Sequence, residues 1–287
     1  MTSEATARLR FLPAIRRARG FRLYTSDGRR LLDLWQAGGE AIVGHRGGGI
    51  VTAAKRVLDR GVLAPLPSSQ QHRLEQAMRA LLPAFDDYAL LVFANRERAA
   101  RALGGGIDGL TGVVDPVVEI ARAGDVPAAA TGVVTETAVR ARAVLWRPGL
   151  DEVVQPDAYR RFAAIVPVLA TGGMIGAHAV LVRRDQSVGL TSDLLPEPVL
   201  AMLTAGAHAL VSFGTRPMVD LDGFATVGPY RVPVSDEGYD ARFRRFLEAG
   251  VVISPDPVVP SVVPAELSDG EADVLRSISR GEGMHGN

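Results

Sequence analysis

Apolar positions along this chain fall into short blocks that read as strands alternating with helices. Near the N-terminus, Phe21 and Leu23 lie in one run, and Leu31, Leu32 and Leu34 in another, with Ser26-Asp27-Gly28-Arg29 between them. An Asp-Gly step between two apolar runs predicts a β-hairpin, because glycine supplies the positive φ that a tight turn needs. A glycine-rich loop, Gly44-His45-Arg46-Gly47-Gly48-Gly49, comes next, followed by a predicted helix over 50–60. Prolines and serines at 65–69 break the pattern, and Ser68 or Ser69 is placed to cap a helix reaching about residue 82. Residues 88–94 are continuously apolar, as in a strand buried on both faces. Asn95 ends that run, and 96–103 reads as a helix. Strand, short turn and helix together open an α/β unit.

Further strands are expected at 112–114, 143–146, 164–169 and 177–182, with helices at 157–163 and 198–213. The 18 residues 198–215 carry no charge. They contain Pro198, Gly206, His208 and Ser212, and predict a buried helix, with a membrane span as the minor alternative. Composition shifts after Gly214. Residues 239–249 place Phe243, Phe246 and Leu247 on one helical face, Gly250 ends that helix, and 251–253 reads as a strand. A proline-rich stretch, 255–264, is expected to carry the chain across a surface. Ser268-Asp269-Gly270-Glu271 is a capping-box pattern for a last helix to about residue 279, with a frayed tail from Gly281. No internal repeat is found.

Composition narrows the partners. The 287 residues hold a large core, 47% of them apolar, and the 32 basic groups balance 32 acidic ones. Without a basic excess, nucleic acid is not expected as a partner. Cysteine is absent, which excludes disulfides, thiolate zinc sites and cysteine nucleophiles and fits a cytoplasmic protein. The first twenty residues are arginine-rich without an apolar run, so no export signal is read there and no membrane anchoring is expected. Thirty-one of the 32 basic residues are arginine, and the single lysine is Lys55. The heavy use of arginine, alanine, glycine and valine resembles that of a high-GC genome, which accounts for part of the lysine shortage at surface sites. It does not explain the loss of a lysine with chemical work, since a guanidinium stays protonated and forms no Schiff base.

Short motifs add little chemistry. Gly104-x-Gly106-x-x-Gly109 matches a dinucleotide fingerprint as a string, but no strand precedes it, and a flexible loop is the better reading. The five histidines, His45, His72, His178, His208 and His285, lack metal-ligand spacing, so no metal site is predicted. His178, opening an apolar strand, reads as a core histidine rather than an acid–base catalyst. No Gly-x-Ser-x-Gly elbow occurs. Arg96, Arg98 and Arg101 make a cationic helix start. A solvated face is the plain reading, and an anion site at the Asn95–Arg96 junction the sharper one.

A wider resemblance emerges when these segments are taken in order. Gly20-Phe21-Arg22-Leu23-Tyr24, then Asp27-Gly28-Arg29, then Leu32-Asp33-Leu34 and Gly44-His45, resembles the N-terminal signature of class III aminotransferases. Gly173-Met174-Ile175-Gly176-Ala177 is similar to the segment that follows that family's catalytic lysine. Pro196 and Pro198 with their alanine-rich helix resemble the small-residue helix beyond it. The C-terminal part, Phe243 through Ser254-Pro255 and the helix after Leu267-Ser268, is similar as well. The resemblance implies an α/β protein of the fold type I pyridoxal-phosphate architecture. It implies a large domain with a mostly parallel sheet over 61–214, and a small α+β domain formed by 1–60 and 215–287. It also implies a homodimer with its cleft at the subunit interface, and pyridoxal phosphate as cofactor.

That cofactor's chemistry needs a lysine amine, a carboxylate facing the ring nitrogen and a helix N-terminus for the phosphate. The lysine belongs just before Gly172-Gly173, where this chain reads Leu169-Ala170-Thr171. The phosphate junction reads Asn95-Arg96-Glu97-Arg98, with an acidic side chain that repels phosphate. Asp151-Glu152-Val153 resembles the family's Asp-Glu-Val, but Pro148-Gly149 interrupts the strand before it. The large domain is also shortened. The sequence therefore suggests a homologue that has lost transamination, with no catalytic residue named and covalent cofactor binding not expected. A pocket for a small molecule or anion is expected around Asn95, Arg96, Asp151, Thr171, Gly172 and Gly173. The alternatives are a related enzyme that works without a lysine aldimine, and a non-catalytic binding or regulatory dimer.

Overall fold

A computed structural model describes residues 2–103, 112–124, 141–214 and 216–280. The Gly104–Gly109 string and the tail from Gly281 lie outside these. Three sheets organise the described residues, and the two larger ones each pack on a hydrophobic core of their own. The largest is a five-stranded sheet of β4 (Tyr88–Phe93), β5 (Val113–Val114), β6 (Ala143–Trp146), β7 (Ala164–Pro167) and β8 (His178–Arg183), in the order β4-β8-β7-β6-β5. β8 runs against both neighbours, while β5, β6 and β7 are parallel, with Val113 opposite Ala143 and Ala143 opposite Ala164. Four strands thus share one direction, and their C-terminal ends share one edge. Successive side chains alternate between faces. Val144, Trp146, Ile165, Ala179 and Leu181 enter one core, while Ala143, Ala164, Val166, Val180 and Val182 form a smaller cluster on the other face. Covering both faces is what makes each strand read as an unbroken apolar run.

A helical layer closes the first face. α3 (Ser69–Leu81), capped by the Ser68 hydroxyl, presents Leu74, Ala77 and Met78. α7 (Glu197–Val211) presents Leu200, Leu203, Ala207 and Leu210, the helical spacing of a core-facing stripe. α2 (Ile50–Leu58) also packs on α7. The uncharged stretch is therefore a buried helix, and among the described residues no helix is long and apolar enough to cross a membrane.

The second core joins the two ends of the chain. β1 (Ile15–Arg19), β2 (Arg22–Thr25) and β3 (Arg30–Asp33) form an antiparallel meander, with Leu23 opposite Leu31 across the predicted hairpin. β11 (Val251–Val252) adds parallel to β3, with Val251 opposite Leu32. α8 (Tyr239–Glu248) and α9 (Asp269–Ser279) cover this sheet with Phe243, Phe246, Leu247, Leu275 and Ile278. The capping box at Ser268 and Glu271 is formed.

Several elements depart from the sequence reading. A short helix α1 (Ser3–Leu9) and the edge strand β1 precede the predicted hairpin; arginines along β1 mask any apolar alternation. Asp115-Pro116 starts an unpredicted helix α5 (Pro116–Ala123), its first amide bonded to the Asp115 carboxylate. The helix expected at 157–163 is a single turn, α6 (Pro156–Tyr159). A third sheet, β12-β10-β9, joins β9 (Phe224–Val227), β10 (Tyr230–Pro233) and β12 (Ser261–Val262). The proline-rich stretch does not cross a surface. Ser254, Pro255 and residues 260–264 are buried, with the Val262 amide donating to the Leu34 carbonyl at 2.6 Å and the Val263 amide to Pro229 at 2.9 Å. Proline has no amide hydrogen to satisfy, so such a run passes through a core with few orphaned donors.

Candidate functional site

The chain leaving β7 builds the floor of a cavity at the C-terminal edge of the large sheet. Val168 stays in register, its amide donating to Trp146 at 2.9 Å, and Leu169 and Ala170 are buried. Thr171 is 3% exposed, so its side chain is fixed rather than free in solvent. Gly172 and Gly173 follow with φ near +70°. A Cβ on Gly173 would meet the Ala37 methyl at 2.8 Å, so the two loops approach closer than any side chain allows.

The opposing loop is strained. Gln36, Ala37, Gly38 and Gly39 all have positive φ, a left-handed run that costs a non-glycine residue about 1–3 kcal/mol. Five contacts hold it in place. One Asp33 oxygen accepts the Trp35 and Gln36 amides, each at 2.9 Å, and the other meets His45 Nε2 at 2.8 Å. The Gln36 side-chain amide donates to the Val262 carbonyl, and Arg147 Nη1 donates to the Gly38 carbonyl at 2.9 Å. The turn delivers Glu40. Its carbonyl accepts the Gly172 amide at 2.7 Å, and its carboxyl accepts the Thr171 hydroxyl. Burial raises the Glu40 carboxyl above its ordinary range, partly offset by the Thr171 hydroxyl and the Gly173 amide.

Glu40, Thr171, Arg96 and His178 give the cavity its polar groups, and its volume is about 260 Å³. Ala99, Leu103, Leu145, Val166 and Leu203 are among its apolar walls. Desolvation, and then the positive charge of Arg96, lowers the His178 imidazole below its ordinary value, which favours the neutral ring. Desolvation also lowers the Arg96 guanidinium, against the opposite pull of Glu97 and Asp256. No ion pair or hydrogen bond engages Arg96 among the described residues. Its neighbour Arg98 is committed, forming a two-pronged pair with Asp193 at the surface.

The expected site residues divide. Arg96 and Thr171 line the cavity together, with Gly172 and Gly173 beside Thr171 in the same loop. Asn95 caps α4 (Arg96–Ala102), its side chain accepting the Arg98 amide at 2.9 Å. The amide just before it, on Ala94, donates to Asp193 at 2.8 Å. The strand–helix junction is thus furnished with the chain's own carboxylate. Asp151 lies apart from the group, exposed beside Glu152 on a second cavity of about 500 Å³ that Trp146, Leu210 and Arg216 also line.

The side chain that leaves β6 at the sheet edge is Arg147. It is 3% exposed and pairs with Asp115 through contacts of 2.9 and 2.7 Å. Its other nitrogen supports the strained turn at Gly38, and the guanidinium lies 5.5 Å from the Tyr230 ring centroid. Sequence reasoning missed Glu40, Asp115 and Arg147. Only the glycine pair before Glu40 and the Asp-Pro step at 115 were available as signals. Lys55 is exposed on α2 and does not line the cavity.

No family model matches the chain. It is 29% identical over 277 residues to an uncharacterized protein of Treponema pallidum (strain Nichols), covering 87% of this chain and 88% of that one. A second uncharacterized protein, from Borreliella burgdorferi, is 25% identical over 275 residues, covering 93% and 90%. Among solved structures, Plasmodium falciparum ornithine delta-aminotransferase superposes with a TM-score of 0.64 at 12% identity, covering 94% of this chain and 93% of that one. Acetylornithine aminotransferase from Elizabethkingia anophelis gives 0.57 at 14% identity, with coverage of 97% and 99%. An omega-aminotransferase from Paracoccus denitrificans gives 0.59 at 13%, with 98% of each covered.

The chain has the aminotransferase fold. These neighbours are pyridoxal-phosphate enzymes of fold type I. At such identities the aminotransferase likeness is one of architecture, and the chemistry has to be argued from the side chains in the cleft.

Proposed function

We propose that this protein keeps the aminotransferase fold without Schiff-base transamination, and binds a small molecule in the cavity lined by Arg96, Thr171 and His178. The observation that carries this reading is Thr171. It stands just before Gly172, where the resemblance places the catalytic lysine, and it is buried and spent on Glu40. A hydroxyl cannot supply the amine that this cofactor requires. Two more features agree. Asp193 and Asn95 occupy donors of the β4–α4 junction where a phosphate belongs, and a guanidinium, Arg147, leaves β6 where a carboxylate is needed. The residues present do not fit a covalently held pyridoxal phosphate.

The small domain of this reading is built from both chain ends. Its support is the core that joins Leu23, Leu31 and Leu34 to Phe243, Phe246 and Leu275. The functional unit is a homodimer. Incubation with pyridoxal phosphate, borohydride reduction and peptide mass spectrometry test the chemistry. The expected result is no site-specific adduct. A stoichiometric pyridoxyl-lysine, together with half-transamination of an amino acid, overturns the proposal.

A further inference from the structure

We propose that the ligand of this cavity is a compact monocarboxylate with an apolar body, its carboxylate seated on the Arg96 guanidinium. This deepens the small-molecule reading above and rests on it. Ligand sites are mostly apolar, with a few polar groups that fix orientation. Here the apolar walls come from Ala99, Leu103, Leu145, Val166 and Leu203. The polar groups are not equivalent. Thr171 and Glu40 satisfy each other, and the Gly173 amide adds a second donor to that carboxyl, so the pair has little left to offer. Arg96 is the cation of the set: it is exposed at the edge of the cavity, forms no ion pair or hydrogen bond among the described residues, and feels Glu97 and Asp256 only as nearby charges. A guanidinium whose donors no side chain occupies, beside an apolar hollow, selects a planar anion, because its fork of donors matches a carboxylate. His178, beside it, offers a ring nitrogen without a competing charge.

Size sets the body. An engineered apolar cavity of about 150 Å³ binds benzene. The 260 Å³ here therefore admits a ring with a short chain, on the order of ten non-hydrogen atoms by that comparison. A nucleotide is too large, and a sugar phosphate too polar, for these walls.

Isothermal titration of the full-length protein with 3-phenylpropanoate, 3-phenylpropanamide and 3-phenylpropylamine reads the proposal directly. The carboxylate is expected to bind. The neutral amide should bind about tenfold to a hundredfold more weakly, the range of a charge-assisted hydrogen bond, and the amine not at all. Arg96→Gln should weaken the carboxylate by the same factor, and Ala99→Trp, which fills the cavity, should abolish it while the circular dichroism stays unchanged. The proposal is overturned if the amine binds as tightly as the carboxylate, if Arg96→Gln binds the carboxylate unchanged, or if no carboxylate binding is seen at millimolar concentration. The borohydride assay uses no carboxylate, so a pyridoxyl-lysine there sinks the loss of transamination, whereas these titrations sink only the identity of the ligand.

Discussion

Arg147 and Asp115 show how a single buried pair props up the candidate site. A guanidinium this deep is tolerable because Asp115 neutralises it and the Gly38 carbonyl takes another donor. Removing one partner of such a pair leaves an uncompensated charge and costs about 3–5 kcal/mol. Asp115→Asn should therefore destabilise by that order in urea unfolding, and Asp115→Asn with Arg147→Met should recover part of the loss. Glu271 makes a contrasting prediction about pH. Burial pushes its carboxyl upward, but hydrogen bonds from Arg22 and Ser268 outweigh this and hold it below 4.5. A carboxyl depressed in the folded state adds stability above its unfolded pKa and loses it as pH falls through the folded value. Glu271→Gln should lower the melting temperature at pH 7 and narrow its gap to wild type by pH 3. At this scale the sequence was legible only where a residue stands against a pattern, as Thr171 does. Glu40 and Arg147 were not, since each is defined by partners more than a hundred positions away: Thr171 for one, Gly38 for the other.

At the scale of elements, α7 positions the loop that carries Thr171. Gly206 lies against it, and a Cβ there would come within 2.9 Å of the Ala170 carbonyl oxygen. Two effects compete in Gly206→Ala. Alanine favours a helix over glycine by about 1 kcal/mol. Overpacking against backbone costs about 1–3 kcal/mol, because a main-chain carbonyl cannot swing aside as a flexible side chain does. The clash should win, lowering the midpoint in thermal unfolding, and displacement of Ala170 should weaken ligand binding in the cavity that Thr171 lines. An increase in melting temperature would mean that the loop yields freely. Elements with strong periodicity, such as α3, α7, α8 and the hairpin β2–β3, were legible in the sequence. Two kinds were not. β1 carries arginines along its exposed edge, where charge protects against pairing with another chain. The segment 255–264 reads as a proline-rich surface connection, yet most of it is buried because its few donors find carbonyls in Leu34 and Pro229.

Across the whole molecule, the packing of the two chain ends on each other was expected only through the resemblance of the N-terminal hairpin and the C-terminal helix to class III aminotransferases. The order of strands in the large sheet was not, since crossover connections leave no local signature. The proposed homodimer is argued from what the fold leaves uncovered. From the end of α2 to the start of α3, Leu58, Leu63 and Leu66 are 48%, 56% and 53% exposed within one short stretch. Clustered apolar side chains of this kind mark an interaction surface more often than scattered ones do. A two-fold axis beside such a stretch would bring each copy onto its mate, since an isologous interface uses the same patch twice. Light scattering should give twice the 30.4 kDa of one chain. Leu63→Asp with Leu66→Asp should give the single-chain mass with unchanged circular dichroism, because neither residue belongs to a buried core cluster. A wild-type protein that stays at one chain's mass at high micromolar concentration would sink the dimer. A double variant that remains dimeric would move the interface elsewhere on the surface.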